Sequence, residues 1–240
     1  MSSRNKNRAC VYCGQVKKLT ADHVPPKSLL AQPYPTNLLT VPACGDCNAS
    51  FQLDDEYTRT VVSMDVRASK NHDAQSQLPA IIRSLQRPNA KAFADYLTSQ
   101  MAATRILAPD GVPMGQAIEV DRRRVHATGA RIIRGLFYVE KGKPVPPGAL
   151  LRVEATAGLN SSDPVVLQFA RLYGQCSERR DREIGKAFSY AAGFGPGFSI
   201  WLMLLYDYFA WAGTVDMRST SADLITCLKD HPELLAKVLG

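Results

Sequence analysis

The chain has 240 residues, 45 % of them apolar and 21 % charged. That is enough apolar material for a buried core, and it excludes a chain that is disordered throughout. The net charge of +7 is concentrated in the middle: residues 76–150 carry 11 basic and 5 acidic side chains, against 9 and 7 in residues 1–75 and 9 and 10 in residues 151–240.

A basic surface draws polyanions, of which nucleic acid is the commonest. No apolar run follows the basic residues of the N-terminus, as a secretion signal would require. The most apolar stretch, Ser199 to Val215, is shorter than the roughly 20 residues of a membrane span and has Asp207 in its middle, so it predicts a buried strand pair or a helix. A soluble, cytoplasmic protein with no membrane partner is expected.

Taken in chain order, Ala21 to Val24 and Leu38 to Val41 suggest two short strands. A helix is expected to begin near Cys44–Asn48. Another is expected over Leu53 to Ser69, with Asp54, Asp55 and Glu56 in its first turn, where acids favour the helix dipole. The polar residues 69–77 predict a loop. Helices follow over 78–87 and 89–106, parted by Pro88, and residues 108–115 predict a second loop. Asp121 is placed to cap a helix over 122–140. Residues 144–148 break the chain. Leu150 to Ala155 predicts a strand, 163–174 a helix, 187–192 and 199–215 strands, and the last 20 residues a helix. The fold class is α+β.

Four of the six cysteines stand in two pairs of equal spacing, Cys10-x-x-Cys13 and Cys44-x-x-Cys47; Cys176 and Cys227 are isolated and read as buried thiols. In a cytosolic protein such pairs point to a metal rather than to disulfides. Four thiolates suit tetrahedral Zn²⁺. The intervening loop of 30 residues has little apolar material of its own, so zinc would supply stability there. A zinc with four cysteine ligands has no open position, which makes this metal structural.

Between and beside the pairs stand Asp22-His23, followed by Pro25-Pro26, then Asn37-Leu38, then Asn48 directly after the last cysteine. Phosphodiester hydrolysis needs a base to deprotonate water and a cation to neutralise charge at phosphorus. Histidine is a suitable base near neutral pH, and Asp and Asn are oxygen donors for Mg²⁺ or a similar ion. Neighbouring strand residues point to opposite faces, so Asp22 and His23 share one site only if the strand ends or bends there; Pro25-Pro26 is consistent with that.

Cys-x-x-Cys, Asp-His, Asn-Leu and Cys-x-x-Cys-Asn, in that order over about residues 8–57, resemble the HNH (ββα-metal) endonuclease motif in its zinc-bearing form. Phage Holliday-junction resolvases and many bacterial restriction and defence nucleases share it. The resemblance implies two antiparallel strands and a helix around one catalytic metal. It implies His23 as general base and Asp22 and Asn48 as ligands of a catalytic Mg²⁺ or Mn²⁺. Asn37 would take the middle position that fixes the loop or orients the histidine. Cys10, Cys13, Cys44 and Cys47 would hold structural zinc. It also implies DNA as substrate, with RNA as the other candidate, and a setting in phage defence or restriction. The chain departs from the pattern after Asn48, where a Lys-Gly-Asp-like segment is replaced by Ala49-Ser50-Phe51-Gln52-Leu53-Asp54-Asp55. Asp54 or Asp55 then reads either as an extra metal carboxylate or as a helix cap.

Three parts are expected: residues 1–69 as the ββα-metal module, 70–107 as a helical connector, and 108–240 as an α+β domain of mixed character. The last would recognise target, form a homodimer or bind a partner protein. Arg122, Arg123, Arg124, Arg131 and Arg134 punctuate the helix of the basic middle, either gripping the nucleic-acid backbone or lining a solvated face. The alternative to a nuclease is a zinc-stabilised nucleic-acid- or protein-binding module with an inactive site.

Overall fold

The computed structural model describes residues 9–107, 111, 113–158 and 162–218. Strands β1 (Leu19–Val24) and β2 (Leu39–Cys44) form an antiparallel pair in which Asp22 lies opposite Val41 and His23 opposite Thr40. Beyond β1 come Pro25 and Pro26, which cannot donate to a ladder, and the strand stops there. Cys44 ends β2 and caps the short helix α1 (Gly45–Ser50), its sulfur accepting from the Cys47 N–H. Phe51 separates α1 from α2 (Gln52–Ser63).

The helix expected to run on to Ser69 stops at Ser63, and a 3-10 turn follows over Val66–Lys70. The expected loop over 69–77 is corrected as well. Asn71 caps helix α3 (His72–Leu85) through a bond from the Ala74 N–H, and the polar residues are the end of the 3-10 turn and the first turns of that helix, exposed at His72 and Ser76 and buried at Gln77. Helix α4 (Lys91–Ser99) is shorter than expected, because residues 101–107 form a strand. That strand, β3 (Met101–Leu107), pairs with β4 (Pro113–Ile118). The helical connector is thus helical only in part.

Helix α5 (Arg122–Lys141) begins at Asp121, whose carboxylate accepts from the Arg123 N–H, and ends at Gly142 in the left-handed region. Strands β5 (Leu150–Ala157), β6 (Glu178–Ile184), β7 (Phe188–Gly195), β8 (Phe198–Leu205) and β9 (Phe209–Asp216) make an antiparallel sheet in the order β5-β9-β8-β7-β6. Helix α6 (Pro164–Gln175) lies over β7 and β8. The apolar stretch 199–215 is the strand pair β8–β9, reversed at Tyr206 and Asp207, both of positive φ. Strand β6 was not legible: its sequence ERRDREI is charged, as suits an edge strand. The expected C-terminal helix and Cys227 lie outside the described residues.

Helix α5 joins the two halves, packing against α2 on one side and β5 and β9 on another. Its glycines permit the approach. A methyl group at Gly135 would stand 2.5 Å from a Val24 methyl of β1, and one at Gly129 would stand 2.5 Å from the Trp211 ring. One continuous buried core therefore includes Val24 and Val41 of the hairpin, Ile132 and Leu136 of α5, and Trp201 and Trp211 of the sheet. Gly135→Ala should lower stability by about 1–2 kcal/mol in spite of alanine's better helix propensity, because overpacking outweighs that gain. A thermal melt unchanged or raised by this substitution would contradict such close packing.

Candidate metal centre and catalytic pair

The four cysteines converge. Cys10 and Cys13 stand on a turn closed by the Gly14 N–H to Cys10 O bond, 2.9 Å, with Gly14 at a φ of 71°. The Val11 N–H to Pro42 O bond fixes that turn on β2, from whose end Cys44 and Cys47 arise. All four sulfurs lie within 4.8 Å of one another, and the Cys13 and Cys44 sulfurs are 3.8 Å apart. A zinc tetrahedron with arms of about 2.3 Å has edges of about 3.8 Å, so the sulfur set fits a structural zinc. The Cys44 N–H points at the Cys10 sulfur, 3.3 Å away. Burial opposes ionisation of Cys10, but backbone N–H groups around it bring its pKa down to about 7, whereas burial pushes the Cys47 thiol up.

His23 is half-buried on β1, and its imidazole makes no hydrogen bond among the described residues. Burial, then the charge of Lys27, holds its pKa below the ordinary 6.5, against a smaller upward pull from Asp22. The ring is therefore mostly neutral at pH 7 and able to accept a proton. Asp22 faces the other way, into the protein. The Tyr12 hydroxyl donates to its Oδ2 at 2.6 Å, and Arg131 of α5 donates to both its oxygens. The same guanidinium donates to Asp55 of α2. Burial raises the Asp55 pKa to about 6 although Arg131 opposes the shift, and Asp55 Oδ1 is buried with no hydrogen-bond partner among the described residues.

Asn48 is half-buried on α1, seven residues before Asp55, and its side chain makes no hydrogen bond among the described residues. The acid that meets the surroundings of Asp22 is thus Asp55, read from the sequence only as one of two alternatives. Asn37 is used elsewhere. Its amide donates to Glu183 O at 2.8 Å and accepts from the Gly185 N–H at 3.1 Å, tying the β1–β2 connection to the β6–β7 turn. Neither Glu183 nor Gly185 carried any signal of that contact.

Asp22, Asp55 and Asn48 carry oxygen donors of the kind hard divalent cations take, but among the described residues only Asp22 and Asp55 are brought together, through Arg131. Arg131 and Tyr12 already engage Asp22, so an ion at Asp22 would require the guanidinium to give way.

The five arginines do not form one face. Arg122 and Arg123 are exposed. Arg124 lies over the rings of Tyr57 and Tyr96, at 5.4 and 5.0 Å, with Asp54 and Asp121 beside it. Arg134 is half-buried, and burial lowers its pKa. Arg131, expected to face a nucleic acid or solvent, is buried instead, because α5 turns it toward two carboxylates. No described helix is long and apolar enough to cross a membrane. No protein-family model, curated protein or solved structure matches the chain.

Proposed function

We propose that the chain is a metal-dependent endonuclease of the HNH type that hydrolyses phosphodiester bonds in DNA. The observation that carries this reading is His23: a half-buried imidazole with no hydrogen-bond partner among the described residues, on a hairpin whose ends bring four cysteines together. His23 takes the proton from the attacking water. A bound Mg²⁺ or Mn²⁺ would stabilise charge on the phosphate and on the leaving 3′-oxygen, with Asp22 and Asn48 as the residues to hold it. Asn37 keeps the hairpin loop in place, and Arg122 and Arg123 draw the polyanion by charge. A role in phage defence or restriction, RNA as a second substrate, and dimer or partner contacts through the C-terminal half belong to the same proposal.

A second reading is a zinc-stabilised binding module with an inactive site. The engagement of Asp22 by Arg131 and Tyr12, and the opposite facing of Asp22 and His23 on a regular strand, favour it. One assay separates the two. The chain is incubated with duplex, single-stranded and branched DNA and with RNA, in Mg²⁺ or Mn²⁺, across pH. The nuclease reading expects cleavage with an acid limb below pH 6.5, since a base of lowered pKa stays unprotonated to lower pH. Inertness on all four substrates would leave only the binding module.

A further inference from the structure

Arg131 is a shared cation. Its Nη2 and Nε face Asp22, and its Nη1 faces Asp55. Exposure is 3 % for Arg131, 4 % for Asp22 and 5 % for Asp55. Two carboxylates share one guanidinium away from water, where charge is hardest to balance. The accepting capacity is used unevenly. Both Asp22 oxygens are engaged, Oδ2 twice over, counting Tyr12. Asp55 uses Oδ2 alone, and its Oδ1 is buried with no hydrogen-bond partner among the described residues. A guanidinium is a planar fork that fits both oxygens of one carboxylate. Asp55 therefore offers Arg131 a complete seat beside the one it shares. The Phe51 ring, with its centroid 4.7 Å from the guanidinium carbon, flanks the charge.

We propose that Arg131 is an exchangeable counter-ion of Asp22: it holds that carboxylate in the arrangement described here and moves wholly onto Asp55 when a divalent cation takes Asp22. The inference rests on the reading of Asp22 as a metal ligand. Arg131 and Asp55 are then positioning residues, setting how readily the ion binds without touching the substrate. The device also gives the C-terminal half a hold on the site, because α5 carries Arg131 at one level and packs on the sheet through Gly129 at another.

The test is Mn²⁺ binding to the full, zinc-loaded chain, read from the electron paramagnetic resonance of free Mn²⁺. Arg131→Met removes the competitor, and at least tenfold tighter binding is expected. Asp55→Asn weakens the seat to which Arg131 must move, and at least tenfold weaker binding is expected. Asp22→Asn should abolish binding in either background. Zinc content and circular dichroism identify a variant that fails to fold. Should Arg131→Met fail, Asp55→Asn and the wild type still decide, the latter through the Arg131 Nε nuclear resonance, which should move as Mg²⁺ is added. Unchanged affinity in Asp55→Asn, unchanged or weaker affinity in folded Arg131→Met, or a static Arg131 resonance at saturating Mg²⁺ overturns the exchange. If Asp22→Asn alone abolishes binding, Asp22 remains a metal ligand and only the exchange falls. If the wild type binds no Mn²⁺, both fall.

Discussion

Replacing Cys44 with serine, or stripping the metal with a strong chelator, should reduce zinc from about one per chain to none and lower the melting temperature by at least about 10 °C. Structural zinc contributes on the order of 10 kcal/mol in small modules, comparable with the whole stability of a domain. In a chain of this size each kcal/mol moves the melting point by about 2–4 °C, so even half that contribution gives the stated shift. Cys44 is the position to choose because it serves three ends at once. It ends β2 opposite Leu19, caps α1, and holds its sulfur 3.8 Å from that of Cys13. The loss should reach beyond the hairpin, because Val24 and Val41 share one core with α5 and the sheet. Cys176→Ser is the control: that thiol lies far along the chain, against the carbonyl of Leu172, and its replacement should leave zinc content unchanged. Full zinc occupancy in Cys44→Ser would refute the four-sulfur site.

What was legible in the sequence was what local chemistry decides. The paired cysteines pointed to one metal site because a two-residue spacing bends the chain so that both sulfurs face one point, and the sulfurs do converge. Asp121 marked the start of α5 because a carboxylate at a cap needs only an N–H two residues away, and Asp163, not singled out in the sequence, caps α6 in the same way. The errors lie where tertiary context wins. Residues 101–106 were expected to continue the helix begun at 89, yet they are held as a strand by β4. Strand β6 has no apolar alternation to reveal it, since five of its seven residues are exposed. Residues 69–77 read as a loop because the end of a 3-10 turn and the capped first turns of a helix share a loop's polar composition.

The candidate site divides along the same line. The Asp22-His23 pair and Asn48 could be singled out because their residue types stand at motif spacing. That the adjacent pair splits, His23 half-buried and Asp22 turned inward, follows from a strand that stays regular through Val24, a point the two prolines did not settle. Arg131 could not be assigned from sequence at all. It is one of five arginines on a helix, and only the packing of α5 against β1 and α2 shows that it alone turns into the protein, to carboxylates 109 and 76 residues away in the chain. The contact of Asn37 with the β6–β7 turn spans 146 residues and is of the same kind.

His23→Ala should lower the turnover rate by about 100- to 10,000-fold while leaving KM within about threefold, because a general base acts on the proton in the transition state and not on substrate binding. The range corresponds to about 3–5 kcal/mol at roughly 1.4 kcal/mol per decade. The structure makes this substitution unusually clean. The imidazole is half-buried and has no hydrogen-bond partner among the described residues, so its removal orphans no buried group and should cost less than about 1 kcal/mol of stability. Asp22→Asn lacks that property, since it strips charge from a carboxylate that holds both Arg131 and Tyr12 and so confounds catalysis with folding. Added imidazole should restore part of the activity of His23→Ala, with a pH dependence that follows the free imidazole. A loss smaller than tenfold, in a protein of unchanged melting temperature and zinc content, would mean that the base is another group and that His23 is no more than part of the hairpin's surface.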